Sequence, residues 1–300
     1  MGMLRSRLLL LSAAVLWSTA GAAMKLCQLS GIQIACGRSF VAGLFLLLVV
    51  PEARRRPTRA VWLTAFTYAA TVGLFAVSNK LTTAANAIFL QSTAPLWVML
   101  ASARWLGERP TRAELAAVPI YVLGLSLFFV DELSPGQLTG NLVAVAAGIA
   151  FALCIVGFRA LSTARIAGSP AAGSAGSAAT ALVLGNGLTA LCALPLWFTG
   201  PEPRPTDLWI LAYLGVFQLG LAYLCFVRGV ARTRALEASL LVLLEPVLNP
   251  VWTFLLAGER PGPWALGGAA IVLVATVWRI TAPVFSARSA LRPGVPGAAR

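Results

Sequence analysis

The residues best suited to chemistry lie together in one apolar stretch, 235–257. Glu245, Asn249 and Thr253 recur there every four residues, so they share one face of a helix. An ionisable side chain inside a bilayer is costly unless it faces a cavity or a partner. We therefore predict that Glu245 binds a cationic or amino group or carries a proton, and that Asn249 is also a binding residue. The alternative is that Glu245 caps a broken helix or pairs with an arginine. Pro246, directly after it, removes a backbone hydrogen bond and is a predicted kink.

A second candidate surface is a stripe of hydroxyl and aromatic side chains in the stretch 60–79. Their spacings of four, three, four and three residues place them on one helical face: Thr64, Tyr68, Thr71, Phe75 and Ser78. A face toward lipid would carry Leu, Ile and Val, so we expect this face to point inward. There are two equal alternatives. In one, this face lines a cavity, and Tyr68, Thr71 and Phe75 bind substrate. In the other, the face serves packing only, and its hydroxyls bond helix carbonyls.

Polar and aromatic side chains in the middle of other apolar stretches complete the predicted binding site. Trp and Gln are less usual at mid-membrane depth than at the headgroups, and aromatic rings can stack on a planar or amphipathic solute. Packing alone is the alternative for each of them. The further predicted substrate-binding residues are Trp17, Gln91, Trp97, Phe151, Tyr213, Phe217, Gln218 and Tyr223, with Pro95 as a hinge that matches Pro246.

Several kinds of site are excluded by what the sequence lacks. It contains no His, its five Cys have no CxxC spacing, and it has no Gly-x-x-x-x-Gly-Lys-Ser/Thr motif. We therefore predict no metal, no cofactor, no catalytic residue and no nucleotide hydrolysis. The net charge of +13 is interpreted as arginines in cytoplasmic loops, and no nucleic-acid partner is expected.

Membrane-spanning helices must position these residues, because 59% of the 300 residues are hydrophobic and only 11% are charged. A spanning helix needs about 20 mostly apolar residues. The predicted fold class is an all-α integral membrane protein with ten transmembrane helices, at 7–25, 31–50, 60–79, 84–105, 112–130, 138–160, 176–199, 207–228, 235–257 and 263–283.

The arginines predict the orientation of these helices. With ten spans, most arginines fall on one side of the membrane, for example in the loop 54–59 and in the connection 228–234. The loops on the other side hold few basic residues. The positive-inside rule therefore places both termini in the cytoplasm.

The chain also repeats itself at half its length. Pro95 and Pro246 are 151 residues apart, and the same offset places Gly-Glu-Arg-Pro at 107–110 on Gly-Glu-Arg-Pro at 258–261. Because each half would hold five helices, the second half must enter the membrane from the opposite side. We predict a first repeat at 1–135, an inverted second repeat at 136–285 around a central cavity, and a disordered cytoplasmic tail at 286–300.

These two copies resemble the drug/metabolite transporter superfamily, of the EamA type. The resemblance is carried by Ala94-Pro95-Leu96 and Glu245-Pro246-Val247 with the two Gly-Glu-Arg-Pro turns, and Arg38 fits an arginine common in the second helix. It implies ten helices and a cavity lined mainly by helices 1, 3, 4, 6, 8 and 9. We expect Arg38 to be structural, reaching the headgroups or a carbonyl at a helix end, and the Gly-Glu-Arg-Pro turns to be structural connections.

The resemblance implies a secondary transporter that moves a small metabolite by alternating access. The aromatic side chains and the single acid favour an amino acid or a related amphipathic solute, exported across a bacterial inner membrane. Alternatives are an exporter of drugs or toxic amphipathic compounds, or an uptake carrier for another metabolite. A membrane-embedded enzyme or a scaffold is a remote alternative. The expected partners are the small-molecule substrate and the lipid bilayer, with the chain as a monomer.

Overall fold

The computed structural model describes residues 2–82, 84–128, 130, 137–163, 175–257 and 262–290. Over these ranges the chain is helical and contains no strand, as the sequence predicts. Its α-helices are α1 Gly2–Ser18, α2 Ala20–Leu26, α3 Gly31–Val49, α4 Arg59–Leu81, α5 Ala84–Gln91, α6 Ala94–Trp105, α7 Arg112–Phe128, α8 Leu138–Thr163, α9 Ala175–Trp197, α10 Pro205–Tyr213, α11 Ala222–Val230, α12 Ala235–Leu241, α13 Leu244–Ala257 and α14 Pro263–Ala290.

Six helical stretches among the described residues are long and apolar enough to cross a membrane. They are Gly2–Leu26, Gly31–Val49, Arg59–Leu81, Leu138–Thr163, Gly176–Trp197 and Pro205–Val230. Large apolar side chains cover the outside of the bundle, and Leu48 and Phe198 are 68% and 80% exposed. In a bilayer such a surface contacts lipid rather than water, which agrees with an integral membrane protein.

Two predicted spans are each divided into a pair of shorter helices. The stretch 84–105 is broken between α5 and α6, and the stretch 235–257 is broken between α12 and α13. At the breaks, the N–H of Thr93 bonds the Leu90 carbonyl and the N–H of Leu243 bonds the Leu240 carbonyl, each at 3.3 Å. These three-residue bonds mark a local tightening of the helix.

The two predicted kink prolines lie just after these breaks. Pro95 is in the first turn of α6, where its missing N–H leaves no helical bond unmade. Pro246 is the third residue of α13 and is also within a first turn. Each proline therefore begins a helix rather than bending one.

A third irregularity lies between α10 and α11. Residues Leu214–Leu221 form a π-helical segment, in which each turn holds one more residue than in an α-helix. Gln218 lies in this segment and is buried. Nothing in the sequence analysis predicted the change of helix type.

The bundle is held together by long antiparallel or crossing helix pairs. α4 packs on α8 and α9, α3 on α9, and α1 on α11. α7 and α14 pack on each other, where the Tyr121 hydroxyl and the Thr276 hydroxyl are 3.0 Å apart. The largest buried side chains include Tyr68, Phe158 and Phe226, which places an aromatic core among α4, α8 and α11.

The stripe on α4 faces this core. All five of its side chains are buried. The hydroxyls of Thr64, Thr71 and Ser78 bond carbonyls of their own helix at 2.9, 2.7 and 2.9 Å. The stripe therefore points inward, and its hydroxyls use the local bonds that the packing alternative described.

The first Gly-Glu-Arg-Pro turn ends α6. Gly107 has a φ of 65°, a left-handed conformation that favours glycine after a helix C-terminus. The N–H groups of Leu106 and Glu108 both bond the Ser102 carbonyl, at 3.0 and 3.2 Å. This turn is thus a helix cap, in agreement with its structural interpretation. The second copy, 258–261, and the predicted tail beyond residue 290 lie outside the described residues.

Two glycines of α9 test how closely the helices pack. A Cβ at Gly185 would lie 2.5 Å from Tyr68 Cδ1 and 2.8 Å from the Ala65 carbonyl oxygen, whereas a Cβ at Gly187 would meet nothing within 4 Å. We expect Gly185→Ala to lower stability by about 1–3 kcal/mol, because α9 must move away from α4. Thermal unfolding of the detergent-purified protein would measure this. Gly187→Ala is the matched control and should leave the midpoint unchanged or slightly higher; equal midpoints for both variants would contradict this packing.

Candidate functional site

A small cavity lies where α1, α3, α4, α5, α8, the π-helical segment, α11 and α13 meet. We call it the central cavity. Its volume is about 20 Å³, enough for one water molecule. It is lined by Trp17, Arg38, Thr71, Val72, Phe75, Gln91, Phe151, Gln218, Leu219, Tyr223 and Glu245. The site is therefore closed around a small space in this conformation.

A second cavity of about 20 Å³ adjoins the first at the two helix breaks. It shares Gln91, Phe151 and Glu245 with the central cavity. Pro95 and Pro246 also line it. The broken helices thus meet each other at the site, an arrangement in which irregular backbone is tolerated because it lines a cavity.

Aromatic rings form one wall of the central cavity. The Trp17 ring centroid is 4.8 Å from that of Tyr223, 5.3 Å from Phe226 and 5.7 Å from Phe151. These rings come from α1, α8 and α11, so the wall depends on three helices packing together. Tilted and edge-on pairs at these separations are the favoured aromatic arrangements.

A buried arginine forms the opposite, polar side. Arg38 is 1% exposed. Its Nη1 donates to Gln218 Oε1 at 3.1 Å and its Nη2 donates to the Val72 carbonyl at 2.8 Å. The expectation that Arg38 reaches the headgroups or a helix end is wrong, because the side chain points into the bundle. A single arginine within an apolar helix was the available signal, since such residues mostly face a bundle interior.

The central cavity gathers polar groups that lack protein partners. Among the described residues, Trp17 Nε1, Arg38 Nε and Gln91 Oε1 are buried with no hydrogen bond. The Glu245 carboxylate on the same cavity has no ion pair or side-chain hydrogen bond in the described part of the chain. Each unsatisfied buried polar group costs about 1–3 kcal/mol. The cavity therefore offers two N–H donors and two acceptors to a small polar molecule.

The structure brings most of the predicted binding residues to this cavity. Trp17, Thr71, Phe75, Gln91, Phe151, Gln218, Tyr223 and Glu245 all line it. They come from seven elements that are far apart in sequence. The predicted hinge residues Pro95 and Pro246 lie beside it.

Five other predicted binding residues lie outside the cavity. Tyr68 is behind the wall, with its ring 4.7 Å from Tyr223 and its hydroxyl accepting a hydrogen bond from Asn186 Nδ2 at 2.9 Å. Asn249 packs against Gly21, and a Cβ atom added to Gly21 would lie 2.6 Å from Asn249 Oδ1. The side chain of Thr253 lies outside the described part.

The remaining three face the outside of the bundle. Trp97 and Phe217 are 37% and 45% exposed. Phe217 stacks on Tyr213, whose hydroxyl donates to Thr19 Oγ1 at 2.9 Å. Phe217 is the neighbour of Gln218, which lines the central cavity, but successive residues of a helix point to different sides.

One end of the bundle is closed by ion pairs between the two sequence halves. We call it the arginine end. Arg7 of α1 pairs with Glu237 of α12 at 2.6 Å, with both side chains buried. Arg234 Nε is 3.7 Å from Glu114 Oε1. Because these contacts join α1 or α7 to the segment around α12, the end cannot open without separating charged groups.

Glu108 of the first Gly-Glu-Arg-Pro turn belongs to the same closure. Its Oε1 accepts from Arg159 Nε at 2.8 Å, and its Oε2 accepts from the N–H of Ala235 at 3.0 Å. Arg159 also donates to the carbonyls of Val230 and Ala231. The turn therefore caps the start of α12 in the other half, rather than the helix that follows it in sequence.

The opposite end is joined by hydrogen bonds, and the Asp207 carboxylate takes part in them by accepting from the N–H of Gln28 at 3.1 Å. Thr82 Oγ1 donates to Asn141 Oδ1 at 2.8 Å, and Asn86 Nδ2 donates to the same oxygen at 3.2 Å. Asn141 lies at the start of α8, whereas Arg159 lies near its end. At this end Arg204 bonds Asp207, which raises the pKa of the Arg204 guanidinium.

Comparisons with known proteins decide the family. The model of the EamA-like transporter family matches residues 4–130 and 138–281. The chain belongs to this family. No curated protein matches the sequence. A solved crystal structure, described only as that of a protein, is similar with a TM-score of 0.74 at 18% identity, covering 93% of this chain and 97% of that one. That likeness supports the fold.

Membership in the EamA-like family makes the chain a membrane transporter of small solutes. The described residues hold no group of three or more His, Cys, Asp or Glu that could bind a metal ion. The central cavity presents hydrogen-bond donors, acceptors and aromatic surface around a small closed space.

The buried ion pair at the arginine end should dominate its stability. We expect Arg7→Gln or Glu237→Gln to destabilise the protein by about 3–5 kcal/mol, because each leaves an opposite charge buried. The double variant should lose less than the sum of the two. Thermal unfolding in detergent gives this double-mutant cycle. Arg59→Gln, at an exposed side chain, is the control, and strictly additive effects of the two changes would argue against a closing ion pair.

Proposed function

We propose that this EamA-family protein is a secondary transporter of an amino acid or a closely related amphipathic solute, exported by alternating access. The observation that carries the proposal is the set of unpartnered polar atoms on one cavity. Two donors, Arg38 Nε and Trp17 Nε1, and two acceptors, Gln91 Oε1 and the Glu245 carboxylate, surround the same space. A solute with both a carboxylate and an ammonium group complements this set.

The proposed recognition assigns one charge to each side. Arg38 is held by Gln218 and by the Val72 carbonyl, which leaves its Nε–H for a substrate carboxylate. Glu245 would accept from the substrate ammonium group. The rings of Trp17 and Tyr223 offer an apolar surface to the rest of the solute. A purely cationic drug would leave the arginine unpaired, which disfavours it relative to a zwitterion.

The packing of the helices supports two inverted five-helix repeats within ten spans. α1 packs on α11 and α13, and α8, which would be its counterpart, packs on α4 and α6. α3 packs on α9, and α7 on α14, as helices related by one axis would. The breaks of the fourth and ninth spans meet at the cavity, where such an axis would run. We propose repeats at 1–135 and 136–285; the predicted disordered tail 286–300 is wrong for residues 286–290, which belong to α14.

The closures at the two ends support alternating access between these repeats. Arg7 and Asn141 are each the fourth residue of a family match, 4–130 and 138–281. Asn86 and Glu237 are 151 residues apart, the offset of the repeat. The Arg7–Glu237 and Asn141–Asn86 pairs are therefore counterparts at opposite ends. Separating one pair while keeping the other would expose the cavity to one side at a time.

The arginine end would face the cytoplasm of a bacterial inner membrane, because that is where basic residues concentrate. The cavity lies within one chain, so a monomer suffices for transport. With no nucleotide motif in the sequence, energy would come from an ion gradient or from exchange, with Glu245 as the candidate proton carrier.

Counterflow in proteoliposomes tests the recognition. We expect unlabelled L-phenylalanine or L-leucine inside to drive uptake of the labelled amino acid, and Glu245→Gln or Arg38→Gln to lower it by at least about tenfold. Competition by phenethylamine, which lacks the carboxylate, should depend mainly on Glu245. Competition by 3-phenylpropionate, which lacks the ammonium group, should depend mainly on Arg38.

The control for these variants is Glu202→Gln, which removes an acid from an exposed loop. It should retain full exchange. Folding of every variant is checked by size-exclusion chromatography. Absence of exchange for all amino acids with folded protein would contradict the substrate class, and exchange untouched by both cavity variants would contradict the site.

A pH gradient tests the coupling separately. If Glu245 carries a proton in the cycle, an imposed gradient should drive net amino-acid uptake into parent proteoliposomes but not into those with Glu245→Asn. Exchange of substrate for substrate, measured without a gradient, distinguishes loss of coupling from loss of binding. Net uptake that ignores the gradient in the parent protein would identify a facilitator.

A further inference from the structure

A third cavity, larger than the two described above, opens at the arginine end, away from the central cavity. Its volume is about 290 Å³, against about 20 Å³ for the central cavity. We call it the arginine pocket. It is lined by Gly2, Arg5, Ser6, Leu9, Ser162, Ala178, Val227, Arg228, Ala231 and Arg232. The pocket thus lies between the start of α1 and the ends of α8 and α11, beside α9.

Three guanidinium groups define the chemistry of this pocket. Arg5, Arg228 and Arg232 are all exposed, and in the described part of the chain none of them has a side-chain hydrogen bond or an ion pair. Ser6 and Ser162 add hydroxyls, although both bond carbonyls of their own helices. Among the residues that the structure describes, none with a carboxylate side chain lines the pocket.

Three acids of the same end are already engaged by other arginines, whereas Glu52 is exposed and does not line the pocket. Glu237 is 2.6 Å from Arg7, Glu108 is 2.8 Å from Arg159, and Glu114 is 3.7 Å from Arg234. The surplus positive charge at the pocket therefore has no protein counterpart among these carboxylates. A ligand with a phosphate group fits three clustered guanidinium groups, which bind phosphate oxygens in pairs.

The surroundings of the pocket indicate where that phosphate comes from. Leu9 and Val227 make part of its wall apolar. Leu8, three residues after Arg5 and therefore beside it on α1, is 52% exposed, and Leu4 next to Leu8 is 48% exposed. A molecule with a phosphate and attached acyl chains would fill the pocket and cover these side chains together, as basic pockets between membrane helices hold lipid headgroups.

We propose that the arginine pocket binds the headgroup phosphate of an anionic phospholipid. The lipid bridges α1 and α11, the helices that also carry Trp17 and Tyr223 of the cavity wall. It therefore stabilises the closed arginine end next to the Arg7–Glu237 pair. This proposal concerns a site for lipid and is independent of which solute is transported.

The test is lipid-dependent thermal stability of the full-length protein in detergent. We expect dioleoyl phosphatidylglycerol to raise the unfolding midpoint in a saturable manner, and dioleoyl phosphatidylcholine to have little effect. The triple variant R5Q/R228Q/R232Q should need at least about tenfold more phosphatidylglycerol for the same shift. The control R56Q/R59Q/R112Q removes three exposed arginines outside the pocket and should respond like the parent protein.

Each remaining outcome decides the proposal. Equal loss of response in both triple variants would reduce the effect to net charge and overturn the site. A full shift from millimolar sodium phosphate alone, with none added by phosphatidylglycerol, would assign the pocket to a free phosphate compound and overturn the lipid. If the variant R5Q/R228Q/R232Q does not fold, the single variants Arg232→Gln and Arg228→Gln, each at an exposed side chain, give the same comparison. An unchanged response to phosphatidylglycerol in both single variants would overturn the proposal.

Discussion

Every polar group inside this bundle must find a partner without water, and that constraint organises the structure. The hydroxyls of Thr64 and Thr71 find their hydrogen-bond partners locally, because they donate to carbonyls of their own helix. The side chains of Tyr68 and Asn186 are hydrogen-bonded to each other between two helices. Three buried atoms without a hydrogen bond in the described part of the chain, Trp17 Nε1, Arg38 Nε and Gln91 Oε1, belong to residues that line one cavity, whereas others, such as Ser39 Oγ and Asn249 Oδ1, lie elsewhere in the bundle. The cavity is therefore a place where several unused donors and acceptors come close together.

The same constraint explains where the helices are irregular. The α5/α6 and α12/α13 breaks both line the small cavity that adjoins the central cavity. Proline begins the second helix of each broken pair without losing a helical bond. The irregular backbone therefore lies beside the cavity that holds the unpartnered atoms of Trp17, Arg38 and Gln91.

The sequence predicted the helical class and much of the cavity, because apolar length and helical spacing are local properties. The four-residue and three-residue spacing on α4 placed its stripe on the interior correctly. Rotation about the helix axis was not predictable for Trp97, Tyr213 and Phe217, because tertiary packing decides which face turns inward. The role of Arg38 and the partners of Glu108 and Glu237 were also missed, because pairing across more than 50 residues leaves no local pattern.

The π-helical segment 214–221 determines how the following helix, α11, is rotated about its axis. One extra residue in the turn before Ala222 rotates the following helix by about 100° relative to an uninterrupted α-helix. Tyr223 and Phe226 reach the Trp17 ring because of that rotation. Deleting a residue from 214–221 would shorten the helix little but would turn both rings outward. The length of the segment 214–221 therefore decides which side chains of α11 face the aromatic wall.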